Sequence, residues 1–543
     1  MRIGIDVGGT NTDAVLIDGS HVLASVKQPT TKNISAGIID AIHAVLESAN
    51  VSPNAIRAVM IGTTHFTNAL VESARLDKVA VIRLASPSGD ALPPMMAWPE
   101  KLTRQIGQNY FLLPGGYEFD GREISSFDEN KLRDVSRHCK ALGIKSFAIS
   151  CAFAPMNPAM ELHAAKILRE EHPDASISLS HEIGRLGIVE RENGVILNAA
   201  LATLAQHVIA SFKHALNQLG LSAPLFISQN DGTLISSMQA VRYPVMTIGS
   251  GPTNSMRGAA FLTGIRDGIV MDVGGTTCDI GVLSNGMPRE SSIADDISGI
   301  RTNFRMPDIL AIGLGGGTRI HLNPDKYLAE EISSEDFQIG PDSVGYQITK
   351  ESYLFGGKAL TASDIAVMAG KVSFGDPTNA PKLSANVKDT IWQCIQSMLE
   401  DGVDRMKTSS GDTSIIAVGG GHFFISDTIK GASKVVRPEH ASVANAVGAA
   451  IAQVGAQIDK IIDYDKVPRD TALAGLRKAV SSRVVAAGAM RDTIEIVEID
   501  EVALSYLPGR AAQVRMKAVG DLADLNATAD ISDHSFRKAS HAH

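Results

Sequence analysis

The chain has 543 residues, with 50 Lys and Arg against 59 Asp and Glu, a formal net charge of −9. That balance argues against a phosphate-backbone binder, which needs basic stripes, and no run of about 18 apolar residues marks a transmembrane helix. Hydrophobic residues at 44% and charged residues at 20% are ordinary for a soluble globular protein, while 5% aromatics beside 49 glycines favour an enzyme rich in glycine turns over an all-β binding module.

In chain order, a strand-like run carrying Asp6 begins at Arg2, so no signal peptide is expected and a cytoplasmic location is. Residues 36–49 read as an amphipathic helix, and 58–61, 78–82 and 146–150 as buried strands. Residues 87–122 are loop-like, with Pro93-Pro94 and Pro114-Gly115-Gly116. A long helical pattern spans 188–219 and stops at Gly220. A strand at 225–228 and the turn Asn230-Asp231-Gly232 follow, then Ser250-Gly251-Pro252 before a helix over 255–262. Apolar strands at 309–312 and 415–418 lead into Gly313 to Thr318 and Gly419 to His422. The most lipid-like stretch, 443–458, is interrupted by Asn445, Gln453 and Gln457. Strand-like alternation returns at 493–499 and 512–517. The pattern divides into a first lobe over 1–185, a second over 186–465, a small C-terminal α+β segment over 466–530 and a disordered tail over 531–543.

One repeat has a long period. Asp6-Val-Gly-Gly-Thr-Asn-Thr-Asp13 returns as Asp272-Val-Gly-Gly-Thr-Thr-Cys-Asp279, 266 residues later and identical at six of eight positions. Each copy reads as strand, glycine turn and strand, and each reaches a second turn at Asp18-Gly19 or Asn285-Gly286. Glycine lets a turn backbone approach an anion, and successive N–H groups then form a phosphate nest. Gly8, Gly9, Thr10 and Thr12, with Gly274, Gly275, Thr276 and Thr277, would contact phosphates. Asp6 and Asp272 would hold Mg²⁺ through water, and Asp13 and Asp279 would serve as further metal-water ligands or as a base. The plain alternatives are a Gly-Gly hairpin, turn-capping aspartates and strand-edge carboxylates. Four scattered cysteines and 15 His without HExxH or CxxC predict neither a disulfide framework nor a tight zinc site.

Duplicated phosphate hairpins resemble the two-lobed α/β ATPase fold of actin, hexokinase and the large heat-shock chaperones. Further elements narrow the resemblance. Ile61-Gly-Thr-Thr64 with Thr67-Asn-Ala-Leu70, Ser228-Gln-Asn-Asp-Gly232 and Ser250-Gly-Pro252 resemble motifs of the hydantoinase A/5-oxoprolinase family over residues 1 to about 460. The chain departs at Asn11, at Ile61, at Cys278 in place of a threonine, and at Thr253-Asn254-Ser255, where the family has Ala-Gly-Gly.

The resemblance implies ATP-dependent opening of a cyclic amide such as a hydantoin or 5-oxoproline, with ATP and Mg²⁺, a B-type partner subunit and oligomeric assembly. It places Thr63, Thr64, His65 and Asn68 at the substrate cleft, and Gly315, Gly316, Gly317, Gly419, Gly420 and Gly421 beside the nucleotide. Either glycine run could instead be a close-packed turn, and His65 a cap or core residue. Asp364 resembles a metal or substrate contact, and Glu190-Arg191 a family pair or else a surface ion pair. Two other functions remain open: a small-molecule kinase of the sugar-kinase type, and an actin-like or chaperone-like switch.

Overall fold

The computed structural model describes residues 1–523 apart from 10, 31–33, 292–294, 304–305 and 505–508. The tail expected over 531–543 lies outside the described residues, as does Thr10.

A nine-stranded sheet forms the first lobe. Its order is Glu495–Ala503, Ala511–Gly520, Gln453–Asp463, Thr233–Ser236, Leu225–Ser228, Ala58–Thr63, Arg2–Val7, Asn11–Asp18 and His21–Pro29. Arg2–Val7 and Ala58–Thr63 are near-continuous apolar runs because helices cover both faces of the sheet's centre. A second sheet runs Met287–Pro288, Cys278–Ser284, Gly268–Val273, Thr413–Val418 and Ala432–Val436, with Ile309–Ile312 also paired to Cys278–Ser284. A third, all-parallel sheet orders Asn109–Pro114, Val79–Ser86, Ser146–Cys151 and Ser176–Leu179, with its own core. The expected two-lobed α/β architecture with duplicated hairpins is present. Sheet membership cuts across residue 185: strands at 225–236, 453–463 and 495–520 all extend the first-lobe sheet.

Two local expectations change. The loop-like 87–122 contains helix Glu100–Ile106 and strand Asn109–Pro114, whose prolines sit at element ends. The long helix divides into Ile188–Ala200 and Ala202–Gln218, bent by 52°. Asp77 makes the break: its amide takes Ala200 O at 2.8 Å and its carboxylate caps Thr203 N at 2.9 Å. The apolar run 443–458 is a helix, Ala444–Ile451, followed by the strand Gln453–Asp463. The helix is apolar because it is buried, whereas the strand is mostly half-buried and mixes Gln453, Gln457, Asp459 and Lys460 into its run. Among the described residues no single helix is long and apolar enough to cross a membrane.

Two helices join the lobes. Ser250–Thr263 packs Met256 and Ala259 against Val270 and Val418 of the second sheet. Ala444–Ile451 packs Val447 and Ala450 against Val15 and Ile17 of the first. They cross through glycine. A Cβ at Gly258 would lie 1.9 Å from Ala444 O, and one at Gly448 1.8 Å from Asn254 O.

Candidate active site

The two hairpins are built alike. Asp6 pairs with Asp13 and Val7 with Thr12 in the first; Asp272 pairs with Asp279 and Val273 with Cys278 in the second. Each turn closes the same way, Gly8 N donating to Asn11 O at 3.0 Å and Gly274 N to Thr277 O at 2.9 Å. Gly9, Thr276 and Thr277 are exposed at the tips. The next strand is parallel in both lobes. It sets Gly62 and Thr63 beside Asp6 and Val7, and Val418, just before Gly419, beside Asp272.

Four carboxylates gather where the hairpins meet. Asp6 is pushed up to about 7 by burial and then by the Asp13 charge, against the opposing hydrogen bond from Asn445. Asp279 is pushed up to about 7 by burial and by Asp272. Burial also raises Asp13, against the pull of Lys27, and raises Asp272, against a hydrogen bond from Ser255. Lys27 Nζ grips both oxygens of Asp13 at 2.8 Å and reaches Ser442 O at 3.0 Å. Asn445 Nδ2 donates to Asp6 Oδ2 at 2.9 Å and Asp13 Oδ2 at 3.0 Å, and Ser255 Oγ donates to Asp272. Asp6 Oδ1 is buried without a partner.

So much clustered acid, with an orphaned oxygen, fits a divalent cation and cationic or proton-bearing partners. Among the described residues no three His, Cys, Asp or Glu form a ligand set. A cation here would therefore take most of its ligands from water and phosphate, as Mg²⁺ commonly does.

A pH dependence follows from the raised carboxyls. The folded protein keeps protons that the unfolded chain has already lost, so this contribution is fully present below about pH 4 and is lost as pH rises through about 7. The ligand-free protein is expected to melt progressively lower from pH 5 to 8, with a flatter slope in Asp279→Asn. Scanning fluorimetry checks this, and equal slopes for both proteins would refute it.

The glycine runs have different settings. Gly316 N and Gly317 N donate to Gly274 O and Gly275 O at 3.0 and 2.7 Å. A Cβ at Gly315 would lie 2.6 Å from Thr276 N. Gly315, Gly316 and Gly317 are buried and buttress the second hairpin turn from behind. Gly421 N donates to Val273 O at 2.7 Å and Gly419 N to Ala441 O at 2.9 Å. Gly419, at φ +83°, would place a Cβ 2.2 Å from Asp272 Oδ1. Gly420 is exposed and lies next to Lys27.

Thr64 N and Oγ1 donate to Val7 O, and Asn68 Nδ2 reaches Thr64 Oγ1 at 3.4 Å, so this element borders the first hairpin. Thr63 is buried and its Oγ1 lies 2.5 Å from His65 Nδ1. Burial, then the Arg75 charge, pushes His65 down to about 4, which keeps it neutral at pH 7.

Asp364 is not a metal or substrate contact. Its carboxylate accepts from Ser352 Oγ, Leu354 N, Thr361 N and Thr361 Oγ1 and caps helix Ala362–Met368. Arg191 is no surface residue either: it is 1% exposed and donates to Ser180 Oγ, Arg185 O and Cys151 O. The buried ion pair there is Arg83 with Glu192, at 2.5 Å.

Sequence reasoning missed Lys27, Asn445 and Ser255. Asn445 carried a signal, as one of three polar residues interrupting an apolar run. Lys27 sits in an ordinary edge strand and carried none.

The sequence matches the hydantoinase/oxoprolinase N-terminal region over residues 2–172 and the hydantoinase/oxoprolinase region over residues 191–387. The alpha subunit of caprolactamase from Pseudomonas jessenii is 27% identical over 400 residues, 69% of this chain and 55% of that protein. The gamma subunit of acetophenone carboxylase from Aromatoleum aromaticum is 25% identical over 428 residues, 72% of this chain and 57% of that protein. The chain thus matches little more than half the length of these relatives. The crystal structure of the Pseudomonas jessenii ATP-dependent caprolactamase superposes with a TM-score of 0.75 at 21% identity, covering 96% of this chain and 88% of that one. Nucleotide-free acetone carboxylase gives a TM-score of 0.69 at 19% identity, covering 100% and 85%. These two structures show the same fold.

Proposed function

The chain belongs to the hydantoinase/oxoprolinase family, and on that premise we propose that it is a subunit of an ATP-dependent hydrolase that activates a cyclic amide. The observation that carries this reading is the meeting of two glycine hairpins, with Asp6, Asp13, Asp272 and Asp279 buried or half-buried between them. The names of the caprolactamase relative and of the ATP-dependent caprolactamase structure support a lactam and ATP as co-substrates. Both curated relatives are subunits, which supports a partner, here a B-type subunit.

Amide resonance makes a lactam carbon a poor electrophile. Attack of the amide oxygen on the γ-phosphorus of ATP expels ADP and leaves an imidate-like phosphate. Water then adds to its carbon, and loss of phosphate and cleavage of the ring C–N bond give an amino acid. Such transfer needs positioning and charge neutralisation more than a protein nucleophile. Gly9, Gly275, Thr276 and Gly420 offer backbone N–H groups to phosphate, and Thr277 a hydroxyl. Asp6 and Asp272 would hold Mg²⁺, which supplies neutralisation of phosphate charge. Lys27 brings the positive side chain beside Asp13. Asp279, poised near 7, suits a base working close to neutrality. Thr63, Thr64, neutral His65 and Asn68 border the first hairpin, where the amide would lie.

The test is ADP release from Mg-ATP with hydantoins, 5-oxoproline, larger lactams and common sugars, with and without a B-type subunit. Lactam-dependent ADP with a ring-opened acid is expected. A stable phosphorylated product would turn the reading to a kinase. Turnover stimulated only by a protein would turn it to a switch.

A further inference from the structure

Four buried polar atoms lie without partners in one neighbourhood: Ser250 Oγ, Asn254 Oδ1, Asn254 Nδ2 and Asp6 Oδ1. Their residues are 1%, 0% and 5% exposed, respectively. Buried polar groups are almost always paired, and unpaired ones call for an explanation.

Helix spacing and the Gly62 backbone bring them together. Ser250 and Asn254 are four residues apart on helix Ser250–Thr263 and so share a face. Asn254 Nδ2 and Asp6 Oδ1 both crowd Gly62, where a Cβ would lie 2.7 Å from the first and 2.6 Å from the second. Only glycine leaves both polar groups their room. Taken in order, the Ser250 hydroxyl, Asn254 Oδ1, Asn254 Nδ2 and Asp6 Oδ1 alternate donor, acceptor, donor, acceptor. The other oxygen of Asp6 already accepts from Asn445 at 2.9 Å. The next residue along the helix, Ser255, donates to Asp272.

We infer that Ser250 and Asn254 form a hydrogen-bond relay, bridged by water, that ends on Asp6 Oδ1 and makes Asn254 a positioning residue for that carboxylate. Consecutive residues of one interlobe helix then orient both strand-end acids, Asn254 the first and Ser255 the second. The helix is thereby a mechanical link between the two phosphate hairpins. Asn254 and Ser255 lie in the Thr253-Asn254-Ser255 stretch, and Ser250 in the Ser250-Gly251-Pro252 element before it. Its effect on nucleotide rests on the proposed function; the bond network does not.

A double-mutant cycle decides the matter, pairing Asn254→Ala with Asp6→Ala and reading both Mg-ADP affinity by calorimetry and the melting temperature without ligand. Asn254→Ala is expected to weaken Mg-ADP about tenfold in the wild-type background and less than about twofold in Asp6→Ala. Ser250→Ala should weaken it by less, and add nothing to Asn254→Ala. Asn254→Ser, which keeps a short donor, should fall between, and serves where the alanine variant folds poorly. Equal losses in both backgrounds, or no loss at all, would overturn the relay, because groups that do not interact contribute additively. Should the wild type itself ignore Mg-ADP, the nucleotide reading fails, and the melting cycle still decides the relay: non-additive shifts support it and additive shifts overturn it.

Discussion

Asp6→Asn and Asp272→Asn are each expected to cut ATP turnover by at least about 100-fold while the protein stays folded. The reason is that both carboxylates are costly to the resting structure. Asp6 is raised to about 7 by burial, and Asp272 is raised by burial as well. Both acids are therefore kept at a cost to stability. Asparagine is nearly isosteric, and its carbonyl oxygen still accepts from Asn445 at the first site or Ser255 at the second. It removes the charge, and with it the proposed hold on a hydrated cation.

Stability has the opposite expected sign. Above about pH 7 the wild type pays for an ionised Asp6 that the variant lacks, so Asp6→Asn should melt at least as high as wild type at pH 8. The advantage should shrink as pH falls and vanish only below the ordinary aspartate pKa of about 4, where the wild-type group is protonated in both states. ADP release and paired melts at pH 5 and 8 measure both effects. Unchanged turnover in either variant would remove that residue from the site.

The hairpins were legible in sequence because a tight glycine turn between buried strands constrains eight consecutive residues, and it does so twice. Local backbone demands leave local marks. Lys27, Asn445 and Asn254 left none of that kind. Asn445 meets Asp6 across 439 positions of chain, and Lys27 meets Ser442 across 415. Such contacts exist only after two helices and two sheets are assembled. The nine-stranded sheet was hidden for the same reason, since Arg2–Val7, Leu225–Ser228 and Gln453–Asp463 share it from three distant segments. Strand periodicity shows that each is buried, but not which strands are neighbours. Asp364 misled in the opposite direction: a Thr-x-x-Asp capping box looks like a ligand motif when its backbone partners are unseen.

The largest expected stability effect lies at the helix crossing. Gly448→Ala would set a methyl 1.8 Å from Asn254 O, and Gly258→Ala one 1.9 Å from Ala444 O. Both obstacles are backbone, so no side chain can rotate away and the helices themselves must separate. Overpacking of this kind costs about 3 kcal/mol, with no offsetting gain from helix propensity beyond about 1 kcal/mol. The damage should also reach the chemistry. Ser250–Thr263 carries Asn254 and Ser255 to the two strand-end acids, and Ala444–Ile451 carries Asn445 to Asp6 and Asp13. Parting the helices moves these groups together. Gly448→Ala is therefore expected both to lower the denaturant midpoint and to weaken Mg-ADP binding in the fraction that remains folded. Gly475→Ala is the control: it lies on helix Arg469–Ala486, where an added Cβ meets nothing within 4 Å, so it should be neutral or stabilising. If Gly448→Ala behaved like Gly475→Ala in both measurements, the close crossing would not be the joint that aligns the two hairpins.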